Sequence, residues 1–270
     1  MKRAAALLLF LLAWEGASRS GWLNPLVVPP PTQVAQALYA LFQGGQIWGH
    51  FGATLLEALG GLVLGIAIGG LLGVAAALWP PLAEILQPAM TLLNAVPRVI
   101  LAPLFVIWFG IGMASKITLG FLLVAVTIFF AVYSGIREVD SALVDRVRTL
   151  GGTGLHLARE VYVPSVAAWL LGSLKIAVGF AFTGAVVGEF VASSRGLGYL
   201  LSFAQSTYNA SLTMALICLV VAVTYAVFAG FERLESRVFR WKPRPQARVR
   251  LPRVHPATEP NPAPNIQREG

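Results

Sequence analysis

Charge is scarce in this 270-residue chain. Asp, Glu, Lys and Arg make up 12% of it, while 57% is hydrophobic; soluble domains carry about twice that share of charge. Mean hydropathy is +0.73. Too little polar surface remains to cover a globule in water, so a soluble fold is excluded and lipid must be the solvent. Cysteine is nearly absent: Cys218 stands alone in an apolar run, which rules out a disulfide within the chain. His50, His156 and His255 lie far apart without ligand spacing, so no metal site is read. No Gly-x-x-x-x-Gly-Lys-Ser/Thr occurs; Gly110-Ile111-Gly112 before Lys116 comes nearest, with the wrong spacing. The chain therefore lacks a phosphate-cradling loop of its own. No Ser/His/Asp set or pair of carboxylates gathers at helix ends, so no catalytic residues are expected.

What is present is a series of apolar runs, and they predict an all-α, polytopic bundle of about six membrane-spanning helices over residues 1–241. The first run, residues 4–14, is short and follows Lys2-Arg3, so it reads either as a cleavable leader or as an uncleaved anchor. Pro29-Pro30-Pro31 then precede a short amphipathic helix that Thr32 is placed to cap. The second span, residues 53–79, holds Gly61, Gly65, Gly69 and Gly73 on one helix face. A face without side chains admits another backbone, within this chain or across a subunit interface. The third, residues 82–110, is interrupted by Pro88, Pro97 and Pro103 and should be kinked or broken. Spans follow at 117–133, 165–191 and 212–231. The proline-rich basic tail, 242–270, has little apolar content after Leu251 and reads as disordered.

The net charge of +8 could suggest nucleic acid, but the basic residues sit beside the apolar spans and in the tail. With six spans and the N-terminus inside, Lys2, Arg3, Arg137, Arg146, Arg148, Arg159, Arg233, Arg237, Arg240 and Lys242 fall in the cytoplasm. Arg19, Lys116 and Arg195 fall outside. This is the asymmetry of an inner-membrane protein with both termini cytoplasmic.

Between the fourth and fifth spans, residues 138–164 form a polar loop. Val139, Leu143, Val147 and Leu150 make an apolar stripe on a short helix, and Gly151 suits a left-handed helix end. Thr153 can cap a second helical turn, and Pro164 can start the next span. Such a helix-turn-helix is a lever on the flanking spans. Its spacing resembles the EAA motif of ABC importer permeases. Asp145-Arg146-Val147 stand for Glu-Ala-Ala; three residues lead to Gly151, and nine more to Val161-Tyr162-Val163-Pro164. Arg146 and Val147 depart from the paired alanines, and Asp145 replaces Glu. Further segments are similar to the nitrate/sulfonate/taurine branch of that family. They are Trp14-Glu15, Pro29-Pro30-Pro31, Pro103-Leu104-Phe105, Trp108-Phe109-Gly110, Gly135-Ile136-Arg137, Arg148-Thr149-Leu150-Gly151 and Gly196-Leu197-Gly198-Tyr199. The resemblance implies a type I importer permease that pairs with a second permease copy and takes a small anion from a periplasmic binding protein. It further implies that an ATPase subunit docks on Asp145, Arg148, Gly151, Val161, Val163 and Pro164, and that this partner uses the ATP and Mg.

Polar residues inside the spans mark a candidate path. Gln87, Thr91, Asn94 and Arg98 recur at helical spacing along the third span. Facing lipid, Arg98 would cost roughly 2.5–3.5 kcal/mol, so the stripe should face protein or water. Lys175 and Glu189 share a face of the fifth span, roughly 21 Å apart along the axis, too far to pair with each other. These charges either satisfy neighbouring helices or line the passage, where a guanidinium suits a carboxylate, sulfonate or nitrate. A secondary transporter is the main alternative, but no repeat relates residues 1–132 to 133–270. A membrane scaffold without cargo is another.

Overall fold

The computed structural model describes residues 2–238. Its helices are α1 (Lys2–Arg19), α2 (Pro31–Gln43), α3 (Ile47–Leu78), α4 (Pro80–Ala95), α5 (Ala102–Phe109) and α6 (Met113–Arg137). They continue with α7 (Ser141–Thr149), α8 (Gly154–Leu157), α9 (Val163–Val191), α10 (Leu197–Ser206) and α11 (Ala210–Val238). A 3₁₀ turn, Arg98–Leu101, precedes α5, and a π-turn, Ala158–Tyr162, joins α8 to α9. No strand occurs among the described residues. The chain divides into Met1–Glu232, which holds the bundle, and Arg233–Gly270. The expected disordered tail, 242–270, lies outside the described residues.

Helix α6 is the centre of the bundle, packed against both α3 and α9, which also touch each other. In its most apolar stretch 61% of residues are buried, against 11% for α11, which lies at the periphery. Lipid tails are as apolar as leucine, so these helices gain nothing from hydrophobic burial and must associate by close packing. Glycine makes that possible. A Cβ on Gly61 would lie 3.0 Å from the Gly120 backbone, on Gly65 2.5 Å from Val124 Cβ, and on Gly73 2.9 Å from the Phe129 carbonyl. At Gly69 it would run into Ala125. All four stripe glycines thus face α6 of the same chain. At the same residue of α6 that Gly61 meets, a Cβ on Gly184 of α9 would come within 2.5 Å of Gly120 Cα.

Among the described residues four segments are long and apolar enough to cross a membrane: α3, α6, Gly154–Val191 and Ala210–Arg233 of α11. The expected third span is broken after Pro97, and its two parts, α4 and Arg98–Phe109, diverge by 94°. Counted as one crossing, they bring the total to five. Helix α1, with 18 residues, is short of the ~20 that span a bilayer and is not among these segments, so the expected count of about six stands only as approximate against four to five. Thr32 does not cap α2 as expected. Proline at the helix start leaves few donors there, and Glu15 of α1 serves them, accepting the Thr32 N–H (3.1 Å) and hydroxyl (2.8 Å).

Gly69→Val is expected to destabilise the purified protein by ~1–3 kcal/mol or more, the cost of forcing atoms into a filled seam. Gly52→Ala, where a Cβ meets nothing within 4 Å, should leave the thermal melting point in detergent unchanged. Equal melting points for the two variants would contradict the seam.

Candidate functional site

The polar loop folds as a capped hairpin of helices. The Asp140 carboxylate accepts the Ala142 N–H (2.9 Å) and starts α7. At its end the Gly151 N–H donates to Arg148 O and the Gly152 N–H to Val147 O, both at 2.9 Å. With Gly151 at φ +80°, these two bonds form a Schellman motif, which satisfies carbonyls the helix leaves open. Thr153 starts α8, its N–H donating to His156 Nδ1 (3.3 Å). The helix then continues into the span. Pro164 falls in the first turn of α9 without interrupting it, although the sequence suggested a fresh start there. The proline supplies no donor and crowds the carbonyl four residues earlier. The backbone absorbs this by widening, with the Val163 N–H reaching five residues back to Ala158 O. Gly154–Val191 is therefore one 38-residue helical segment, roughly 57 Å long.

The six loop residues singled out by motif occupy different environments. Val161 is buried; Asp145, Arg148, Gly151, Val163 and Pro164 are exposed. Arg148 and Asp145 approach to 4.0 Å with both side chains well solvated, so their attraction contributes little. The predicted apolar stripe is split. Val139 and Val147 are half-buried, whereas Leu150 is 80% exposed and Leu143 49%. Leu155 of α8 is exposed beside them in sequence, at 78%.

The stripe of the third span is also divided. Gln87 and Thr91 line an open groove of about 540 Å³ with Glu84 and Leu92. Asn94 is exposed. Arg98 follows the break at Pro97 and turns inward, where it donates to Leu123 O (3.1 Å) and Asn94 Oδ1 (3.2 Å). Its guanidinium carbon lies 5.2 Å from the Phe180 ring centre. Arg98 thus ties the bend to α6 and α9, the positive charge spread over a carbonyl, an amide and a ring face. Lys175 is half-exposed and donates to Glu232 Oε1 (2.7 Å), linking α9 to α11.

Glu189 belongs to a polar cluster that the sequence reading missed. Its carboxylate accepts the Thr54 hydroxyl (2.7 Å) and the Gly198 N–H (2.8 Å). The Leu197 N–H donates to Thr54 Oγ1 (2.9 Å), and the Gly196 N–H to His50 Nδ1 (3.0 Å). Gly196 has φ +112°, and any Cβ there would overlap the Glu189 carboxylate. Glu57 and Lys116 are buried within electrostatic range of Glu189. Lys116 Nζ donates to the carbonyls of Ile111 and Gly112. Glu189, Thr54 and His50 therefore hold the turn 196–198 against α9 and α3. A signal was present in the sequence: His50, Thr54 and Glu57 precede Gly61 at intervals of four, three and four, on the face of the glycine stripe.

A family model described as binding-protein-dependent transport system inner membrane component matches residues 61–240. A probable ABC transporter permease protein of Haemophilus influenzae is 32% identical over 231 residues, 86% of this chain and 93% of that protein. A taurine transport system permease protein of Escherichia coli is 28% identical, over 87% of each chain. A riboflavin transport system permease protein of Chloroflexus aurantiacus is 32% identical, over 87% of this chain and 88% of its own. In fold, the chain is similar to one from a crystal structure of an amino acid ABC transporter with histidines. There the TM-score is 0.62 at 15% identity, covering 76% of this chain and 98% of that one. With an all-helical bundle of membrane-length helices and a family match across two thirds of its length, this chain belongs to the inner-membrane components of binding-protein-dependent transport systems, the permease subunits of ABC importers.

Proposed function

We propose that residues 138–164 form the coupling element of this permease, receiving a separate ATPase subunit on the exposed face of α7, the Gly151 turn and α8. The unbroken helical segment Gly154–Val191 carries this reading. A load applied at the loop reaches the outer cluster at Glu189 through one helix, without a flexible joint. Closure of the ATPase pair on ATP and Mg would then shear α9 against its neighbours. The permease itself holds no nucleotide and catalyses no reaction. Two copies pair in the inner membrane with both termini cytoplasmic, the orientation favoured by the loop arginines.

A small anion of the taurine or sulfonate type is the proposed cargo, delivered by a periplasmic binding protein. Gln87, Thr91 and Asn94 offer hydrogen bonds along α4, and Arg98 offers positive charge at the bend. Because Arg98 is held by Leu123 and Asn94, an anion reaches it as the bend between α4 and α5 moves. Lys175, near the middle of α9, is assigned to the α11 contact, and Glu189, close to its end, to the outer closure. Riboflavin, named for one relative, is the uncharged alternative, and competition of labelled taurine uptake by either compound separates the two.

Gly151→Val should strain the turn without a packing clash, since a Cβ there meets nothing within 4 Å while φ +80° disfavours a β-branched residue. The complex is expected to assemble, with ATP hydrolysis no longer stimulated by loaded binding protein; normal stimulation would count against the coupling role. Arg98→Ala should lower anion uptake at least tenfold in a complex that still assembles. Unchanged uptake would remove Arg98 from the path.

A further inference from the structure

Two clefts meet at the inner end of the bundle. One, of about 400 Å³, lies between the ends of α3 and α6 and the π-turn that leads into α9. Val74, Leu78, Ile136, Val163 and Leu170 wall it, and the Tyr162 hydroxyl is the one polar group among its lining side chains. The other, of about 300 Å³, shares Leu78, Ile136 and Tyr162 with the first and is lined on its far side by Arg137, Ser141, Asp145 and Arg148. The joined space is apolar at one end and cationic at the other, with two guanidinium groups against one carboxylate. Among the described residues no acidic side chain pairs with Arg137, and Asp145 approaches Arg148 no closer than 4.0 Å.

We propose that the joined clefts bind one anionic phospholipid of the cytoplasmic leaflet, an acyl chain in the apolar cleft and the phosphate on Arg137 and Arg148. The size falls in the range of ligand pockets, and basic pockets between helices on the cytoplasmic side suit anionic headgroups. The apolar cleft gives no preference by itself, because a chain there is no better solvated than in bulk lipid. Selection comes from the headgroup, through charge-assisted hydrogen bonds of a guanidinium to phosphate oxygens.

The site has a mechanical consequence. Val74, Leu78 and Ile136 belong to the bundle, whereas Ala158, Tyr162 and Val163 belong to the lever. A chain held between them sets the spacing across which the lever moves. The lipid therefore props the coupling element, and hydrolysis stimulated by loaded binding protein depends on headgroup charge. This inference rests on the orientation that puts the loop in the cytoplasm.

The test is native mass spectrometry of the intact permease–ATPase complex in detergent, with phosphatidylglycerol or phosphatidylcholine added. Wild type is expected to retain phosphatidylglycerol over phosphatidylcholine by at least fivefold. Arg137→Gln should abolish that preference while the complex still assembles, and Ala167→Trp, which fills the apolar cleft, should remove the retained lipid. Equal retention of the two lipids, or full preference in Arg137→Gln, overturns the proposal. That is also the result if the tail from Lys242 or a second copy of the chain fills the cleft. Labelling of a Ser141→Cys variant in sealed right-side-out vesicles tests the orientation separately. Reaction with a membrane-impermeant thiol reagent from outside would overturn both orientation and leaflet. Protection there, with no lipid preference, overturns the lipid site alone.

Discussion

The distance between backbones at the α3–α6–α9 seam is the constraint on which the rest of the structure depends. In water a bundle of this size would be driven together by apolar burial; in lipid that force is missing, and contact must be earned atom by atom. Gly61, Gly120 and Gly184 place three backbones in direct contact. Large side chains of α6 then fill the spaces between, with Leu119, Ile128 and Phe129 fully buried. A seam this tight has few intermediate arrangements, so it transmits displacement instead of absorbing it. The lever proposed for residues 138–164 would act on α9 for that reason.

Polar groups in the bundle are used as fasteners, each at a place where the helical pattern breaks. Arg98 secures the bend after Pro97, and the Glu189 cluster secures the turn before α10. Each is costly in hydrocarbon if left unpaired. Each is met by backbone groups: the Leu123 carbonyl inside α6 for Arg98, and the N–H groups of Leu197 and Gly198, left free at the start of α10, for Thr54 and Glu189. Among the described residues, the buried orphan of the Glu189 cluster is Glu57 Oε2. Removing Glu189 would take away the acceptor of the Gly198 N–H and of the Thr54 hydroxyl, so the turn before α10 and the α3–α9 contact are held by the same carboxylate.

Much of this was legible in the sequence, for identifiable reasons. The glycine stripe could be read because a four-residue interval on an apolar helix has few other meanings. The turn at Gly151 could be read because two glycines after an amphipathic stretch demand a helix end. The stripe through Arg98 was not fully legible, since helical phase ends at Pro97 and Arg98 faces another way from Gln87 and Thr91. Pro164 looked like a boundary because proline cannot donate; a widened turn that tolerates it leaves no mark in composition. His50, Thr54 and Glu57 were passed over because each looks unremarkable alone. The partners of His50 and Thr54, which are Gly196, Leu197 and Glu189, are far away in sequence, as in the Thr54–Leu197 pair with its separation of 143.

The central claim is that the loop and α9 move as one body. It is tested most directly by pulsed electron paramagnetic resonance distances in the assembled importer, without nucleotide and with ATP bound. In a Cys218→Ser background, one spin-label pair, Arg159→Cys with Ile176→Cys, lies within the helical segment; the other, Arg159→Cys with Leu71→Cys, joins it to α3. The account predicts that the first distance stays constant while the second changes with nucleotide. A change in the first would mean that the helix yields at the π-turn, and constancy in both would mean that no force passes through it.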